Sequence, residues 1–418
     1  MISGMPPRPL RLLRLLVDVR PGEVAALLWS FGYYFLLLSG YYLLRPLREE
    51  MGVALGTREM TWLFWVTFSV CLLLVPLYAW LLQRFPRRRV VTYVYRFFVL
   101  NLLTFFVLWR TGVAHLAVAR VFFVWVSVYN IFIVSVMWSV MADSWTTDQG
   151  KRLFGFIAAG GSAGALAGPA ISALLARSVP PSTLVFATAV LLEAATQCMR
   201  NLPFVARSDA ERAVGGGLLD GIKRVLSSPF LAAICGQILL YGLTTTFIYM
   251  RQAEILKPVE SGDRRRLFAL QDTFVNLTSI ALQSSVTGRV MALLGLGIAM
   301  AMTPLVTLGG FVALIVAPSV YLVVGLYALR RAVHFAFDRP AREVLFTTVP
   351  REDKYKSKNV IDNVVFRGGD AIGGSAFAAL GALALPMGIP FALAWLGCAI
   401  YLARAHARRA RAPQGATS

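Results

Sequence analysis

What confines this chain most is a pattern that recurs along it. Runs of about 20 apolar residues, broken by at most one or two charges, are each long enough as a helix to cross a hydrocarbon layer ~30 Å thick. Twelve such runs can be marked, at 23–44, 60–82, 90–109, 112–142, 153–176, 182–199, 229–250, 267–287, 290–308, 309–329, 360–385 and 386–403. In lipid the backbone must satisfy its own hydrogen bonds, so runs of this length read as helices rather than strands. The expectation is an all-α membrane protein with twelve transmembrane helices. Gly288, Gly295, Gly297 and the Gly309-Gly310 pair suggest tight turns around 287/290 and 308/309.

Charge orients these spans. The 418 residues carry 41 Lys+Arg against 21 Asp+Glu, a formal charge of +20, yet only 15% of residues are charged and 57% are hydrophobic. A basic nucleic-acid binder needs a far more polar surface, and a disordered chain far fewer apolar residues, so both classes are excluded. Lys and Arg gather instead on the inner side of membrane proteins. With the N-terminus inside, 28 basic residues fall on inner segments, ten on outer ones, and Arg96, Arg120 and Arg367 lie within spans. This split predicts N-in and C-in.

The longest polar break, 200–228, contains Gly215-Gly-Gly217 and divides the chain into six spans plus six. The expected organisation is a cytoplasmic amphipathic N-terminus (1–22), an N-terminal six-helix half (23–199), a cytoplasmic linker (200–228), a C-terminal six-helix half (229–403) and a basic cytoplasmic tail (404–418). Leu10–Leu16 is too short an apolar run for a cleaved signal peptide and reads as a helix lying on the inner surface. Gly160-Gly161 in span five and Gly368-Gly369 in span eleven stand at similar distances after Lys151 and Lys358. Small residues there let helix backbones approach closely.

Metal and covalent chemistry find no support. Cys71, Cys198, Cys235 and Cys398 lie singly in apolar runs, and His115, His334 and His406 are far apart. No P-loop, Ser/His/Asp arrangement or HExxH is present, so the chain is expected to be no enzyme and to need no cofactor or metal.

Two resemblances bear on fold and cargo. Gln83–Arg89 resembles the Asp-Arg-x-Gly-Arg-Arg signature of the major facilitator superfamily, with Gln83 in place of the aspartate and Pro86 in place of the glycine. Three stretches, Tyr41–Gly52, Trp138–Gly155 and Asp353–Asp370, are similar to the ATP:ADP antiporter (nucleotide translocase) family and its bacterial relatives. The resemblance implies a major-facilitator-like fold in the bacterial inner membrane, and nucleotide exchange through intramembrane charges that grip phosphates. Arg48 matches a basic position of that family, whereas Val136 replaces its glutamate, Asp370 its lysine, and no acid closes span seven until Glu254.

A charge at the centre of a membrane helix costs at least ~2.5–3.5 kcal/mol on insertion scales, so each one needs a reason. Arg45 and Arg48 either form local pairs with Glu49 and Glu50 in an outer loop or, with Arg45 fixed by Pro46, grip an anion by bidentate contact. Arg96 and Arg120 either snorkel or join them in an anion trap. Glu193 reads as a structural partner of Arg200 or of another helix. Asp272, Asn276 and Ser279 share one face of span eight, a polar stripe that lines a cavity or carries protons. Arg367 and Asp370 pair within span eleven or form a charge-compensated site with Asp362, and the resemblance adds Lys358.

The candidate substrate-binding residues are therefore Arg45, Arg48, Arg96, Arg120, Asp272, Asn276, Lys358, Arg367 and Asp370. The expected function is a monomeric secondary transporter embedded in the lipid bilayer that moves an anionic metabolite such as ATP/ADP, with no nucleic-acid partner. Two alternatives stand beside it. One is a proton-coupled carrier of another solute using Asp272 or Asp370, and the other a non-transporting membrane scaffold or signalling partner.

Overall fold

The structure is a computed structural model that describes residues 17–84, 87–112, 115–203, 218–350, 357 and 361–411. Among these residues every regular element is helical. The order is α1 (Val24–Leu55), α2 (Thr57–Arg84), α3 (Arg87–Thr111), α4 (His115–Ser144), α5 (Thr147–Leu175), α6 (Pro181–Arg200), a short α7 (Leu218–Ser227), α8 (Pro229–Leu256) and α9 (Ser261–Ser285). There follow a short α10 (Thr287–Leu293), α11 (Gly295–Val316), α12 (Val320–Val333) continued by a π segment (His334–Asp338) into α13 (Arg339–Leu345), a second π segment (Ile361–Val365) leading into α14 (Phe366–Leu380), and α15 (Ala384–Arg411). Among the described residues nine helical stretches are long and apolar enough to cross a membrane. The long helices are consistent with twelve spans.

Two boundaries differ from expectation. The first span does not end at residue 44, because α1 runs through Pro46 to Leu55 and carries Arg45 and Arg48 within the helix rather than in an outer loop. The chain does not turn at Gly309-Gly310, because α11 runs through both to Val316. A Cβ at Gly310 would come within 2.5 Å of Leu326 Cδ1, so this glycine serves helix packing. The turn lies at Ala317-Pro318, where proline has no N–H to continue the ladder and Ser319 caps α12 by accepting from Leu322 N at 3.2 Å. The helix that begins there is still helical at Leu345, so Arg330 and Arg331, expected in an inner loop at 330–359, are buried inside it.

By contact the chain divides into two compact units, Met1–Glu49 with Leu77–Glu211 and Phe268–Thr273, and Glu50–Pro76 with Arg212–Leu267 and Phe274–Ser418. In the first unit α5 lies directly on α1. A Cβ at Gly160 would come within 2.6 Å of the Phe31 carbonyl oxygen, one at Gly168 within 2.5 Å of that of Ser39, and one at Gly164 closer still to that of Phe35. Glycine every fourth residue on one helix thus faces a carbonyl every fourth residue on the other, and no larger side chain fits. Gln149 and Arg152 at the start of α5 hold Glu23 at 3.0 and 2.9 Å, fixing the entry to α1. Trp125 and Tyr129 of α4 stack at 5.0 Å, and Phe98 of α3 packs edge-on to both.

The second unit repeats the device between α8 and α14. Gly242 and Gly369 approach so closely that a Cβ on Gly369 would lie 3.5 Å from Gly242 Cα, and one on Gly373 would lie 2.9 Å from Thr246 Cβ. Its apolar core gathers Phe230, Ile234, Ile238, Met300, Phe337, Leu345, Ile361 and Leu402. The glycine pairs noted in the sequence are packing seams, one in each unit.

Candidate functional site

In the first unit, charge concentrates where α1 meets residues 268–273 of α9. Arg45 Nη1 donates to Asp272 Oδ1 at 2.8 Å, and Asp272 is only 2% exposed. Arg45 Nε also lies 3.8 Å from Glu49 Oε1, with its guanidinium 5.9 Å from the Tyr42 ring centroid. Three residues on, Arg48 Nε donates to Ser127 Oγ at 3.0 Å and to the Phe123 carbonyl at 3.2 Å, while its Nη1 donates to Glu49 Oε1 at 2.9 Å. The Arg48 guanidinium rests 3.9 Å over the Phe123 ring. Two cations and two carboxylates are thus held together with neighbouring aromatic faces. Their guanidiniums are pre-oriented, and the counterions, being separate side chains, can be exchanged for another anion.

The other expected residues are placed as follows. Asn276, half-buried, stands one turn beyond Asp272, and the hydroxyl of buried Ser279 has no hydrogen bond among the described residues. Arg96 is about half exposed on α3, its Nη2 3.9 Å from Glu193 Oε1. Arg120 is half-buried near the start of α4. On α14, Arg367 Nη1 lies 3.6 Å from Asp370 Oδ2, an intrahelical pair. Lys358 and the side chain of Asp362 lie outside the described residues. The structure brings Arg45, Arg48 and Asp272 into one cluster and leaves the Arg96 and Arg367 pairs as separate features. A further buried pair joins Arg265 Nε to Glu50 Oε2 at 2.8 Å in the second unit, with Ser261 also bonded to Glu50.

The second unit holds a cluster that the sequence did not nominate, centred on Arg330. This residue is 0% exposed. Its Nε donates to Thr307 Oγ1 at 2.7 Å, Nη1 to Thr245 Oγ1 at 2.7 Å, and Nη2 to Thr244 Oγ1 at 3.1 Å and the Tyr241 carbonyl at 3.2 Å. Thr244, Thr245 and Thr307 each donate the hydroxyl proton to a carbonyl one turn back, those of Leu240, Tyr241 and Thr303 respectively, which turns the oxygen lone pairs toward the guanidinium. The guanidinium also lies 4.8 Å from the Tyr241 ring centroid and 5.6 Å from that of Trp395. No carboxylate lies within 4 Å of it among the described residues. One turn further, His334 stacks on Tyr241 with centroids 3.9 Å apart, and its Nδ1 lies 3.0 Å from Asp338 Oδ2. Gln237 Nε2 donates to Asp338 Oδ1 at 2.8 Å. The signal that could have found these residues was Pro318, since starting a helix there carries it past residue 330.

Comparison with solved structures places this architecture. The chain matches a bacterial homologue of the iron transporter ferroportin in the inward-facing state at a TM-score of 0.64, with 14% identity over 92% of this chain and 100% of that one. It matches a mutant form of the nucleoside transporter NupG at 0.58, with 12% identity over 93% and 99%. A bacterial homologue of the human lysosomal transporter Spinster matches at 0.58, with 13% identity over 94% and 98%. The fold is major-facilitator-like. No family model and no curated protein matches the chain.

Proposed function

We propose that this protein is a secondary transporter of the bacterial inner membrane, N-in and C-in, that moves an anionic metabolite by alternating access. The observation that carries this reading is the buried Arg45–Asp272 pair with Arg48 beside it. A scaffold has no need of buried charge, whereas a carrier must bind cargo and release it. A phosphate or carboxylate arriving at Arg45 would compete with Asp272 for a guanidinium already oriented, and the displaced carboxylate would re-pair when cargo leaves. The fold supports the transporter class, since the similar solved structures are transporters.

Nucleotide exchange of the ATP/ADP type is the leading cargo, on the strength of the three stretches around Arg48, Trp138 and Asp370. One feature favours a second reading, net transport coupled to a proton. Asp272 neutralises Arg45 without cargo, so the empty carrier need not strand a buried cation, and obligate exchange loses its electrostatic reason. The deciding experiment is uptake of labelled ADP into proteoliposomes loaded with ADP or left empty inside. Uptake that falls at least tenfold in Arg45→Ala and Arg48→Ala supports the reading. Counts equal to protein-free liposomes, for ADP and for labelled inorganic phosphate alike, would overturn it.

A further inference from the structure

Transport coupled to a proton needs a group that binds and releases it, and neither candidate expected from the sequence suits that role. Asp272 is held by Arg45, and Asp370 lies against Arg367. The second unit contains a better one. His334 and Asp338 are 5% and 2% exposed and lie at the two ends of a π segment within a long transmembrane helix. The Arg339 amide closes that segment by donating to the His334 carbonyl, five residues back. Such a bulge breaks the regular α ladder in mid-helix, at a cost in stability, and is found disproportionately at functional positions.

The surroundings suit a group that gains and loses one charge. Asp338 is oriented by Gln237 on one oxygen and faces His334 Nδ1 with the other. The Nδ1 contact is 3.0 Å long, and Gln237 Oε1 has no hydrogen bond among the described residues. The charged and titratable groups around the pair lie on its own helix and on α8. Tyr241 on α8 stacks on the imidazole, Arg330 and Arg342 lie within electrostatic range on the same helix, and buried Arg331 stands on it too, its guanidinium 5.9 Å from the Phe335 ring centroid. The helix α11, which packs on the π segment, has no titratable side chain in Gly295–Val316. From α10 comes only the Thr287 hydroxyl, bonded to the Ala336 carbonyl at 2.8 Å, while Arg289 is exposed.

We propose that the His334–Asp338 pair is a proton-binding site of the transport cycle, coupling this carrier to the proton gradient. With the imidazole neutral, Asp338 is the pair's one charge, and Arg330, Arg331 and Arg342 stand on the same helix. A proton on the imidazole becomes half of an ion pair with Asp338 and leaves the cluster one charge more positive, one turn from the Arg330 guanidinium, which has no carboxylate within 4 Å among the described residues. The loaded form attracts an anion more strongly, and proton loss removes that extra charge. The proton moves between water and an imidazole nitrogen, and no bond other than N–H forms or breaks.

This inference rests on the transporter reading, so its test has one arm that needs no cargo. With only three histidines in the chain, the double variant His115→Gln/His406→Gln leaves His334 as the sole imidazole. Solid-state NMR of 15N-histidine in proteoliposomes of that variant should show conversion from neutral imidazole to imidazolium between pH 8.5 and 5.0. Adding Asp338→Asn should leave the imidazole neutral at the pH where the parent is half converted. In the second arm, an inward gradient of one pH unit should raise accumulation of labelled ADP up to about tenfold, the limit for one proton per cargo. The ratio with and without gradient should fall to about one in His334→Gln and hold in the His115→Gln/His406→Gln protein, with all variants checked for monodispersity. An imidazole that stays neutral throughout, or a gradient effect that survives His334→Gln, overturns the proposal. If neither ADP nor inorganic phosphate is transported, the cargo reading fails, and the proposal is decided by the titration alone.

Discussion

Arg45 and Arg330 are both buried guanidiniums, and they are held in opposite ways. Arg45 leans on a full counter-charge 2.8 Å away, whereas Arg330 is surrounded by three hydroxyls, a carbonyl and two aromatic faces, all formally neutral. The first arrangement is a close ion pair whose loss leaves the cation only a 3.8 Å contact with Glu49. The second spreads one charge over many small dipoles, each of which keeps another hydrogen bond when the cation goes. The first arrangement rests on one close counter-charge, and the second carries its charge with no carboxylate within 4 Å among the described residues.

This contrast can be broken by substitution. The largest effect is expected from Asp272→Ala, which leaves buried Arg45 only its 3.8 Å contact with Glu49, a carboxylate that Arg48 already holds, and should cost about 3–5 kcal/mol in thermal or denaturant unfolding in detergent. Adding Arg45→Met should recover most of that loss, and a double variant as unstable as the single one would deny the pairing. Arg330→Leu should cost less, about 2–3 kcal/mol, because Thr244, Thr245 and Thr307 still donate to their own carbonyls. If it exceeds Asp272→Ala, the two sites are not held in opposite ways. Thr307→Val, which removes one acceptor from Arg330 Nε, should cost about 1–2 kcal/mol. Arg96→Gln should stay under about 1 kcal/mol, since its pair with Glu193 is exposed and 3.9 Å long.

Much of this was legible in the chain. Hydrocarbon thickness and backbone satisfaction leave a run of 20 apolar residues little choice, so the long helices followed from hydrophobicity alone. Gly160 and Gly369 were readable as packing positions because few other residues permit backbone contact. Asp272 stood out as a carboxylate on the polar face of an otherwise apolar run, though nothing local showed that its partner would be Arg45, 227 residues away in the sequence. The second site was lost through one boundary. Gly309-Gly310 looks like a turn by water-soluble rules, yet in a membrane helix glycine is more often a contact surface, and the real punctuation was Pro318. That shift of a few residues assigned Arg330 to an inner loop, where a basic residue needs no explanation. His334 and Asp338 fell with it into the same loop, and the π segment that frames them has no sequence signature of its own.

The most direct test of the central claim, that buried arginines select an anion, is ligand-dependent thermal stability of the purified protein. ADP and adenosine share a base and sugar and differ in charge. At about 100 times its Kd a ligand adds about 2.7 kcal/mol of stability, enough for a clear rise in melting temperature. ADP should produce that rise in the wild type and not in Arg45→Ala, and adenosine in neither. Equal stabilisation by adenosine and ADP, undiminished in Arg45→Ala, would contradict the account.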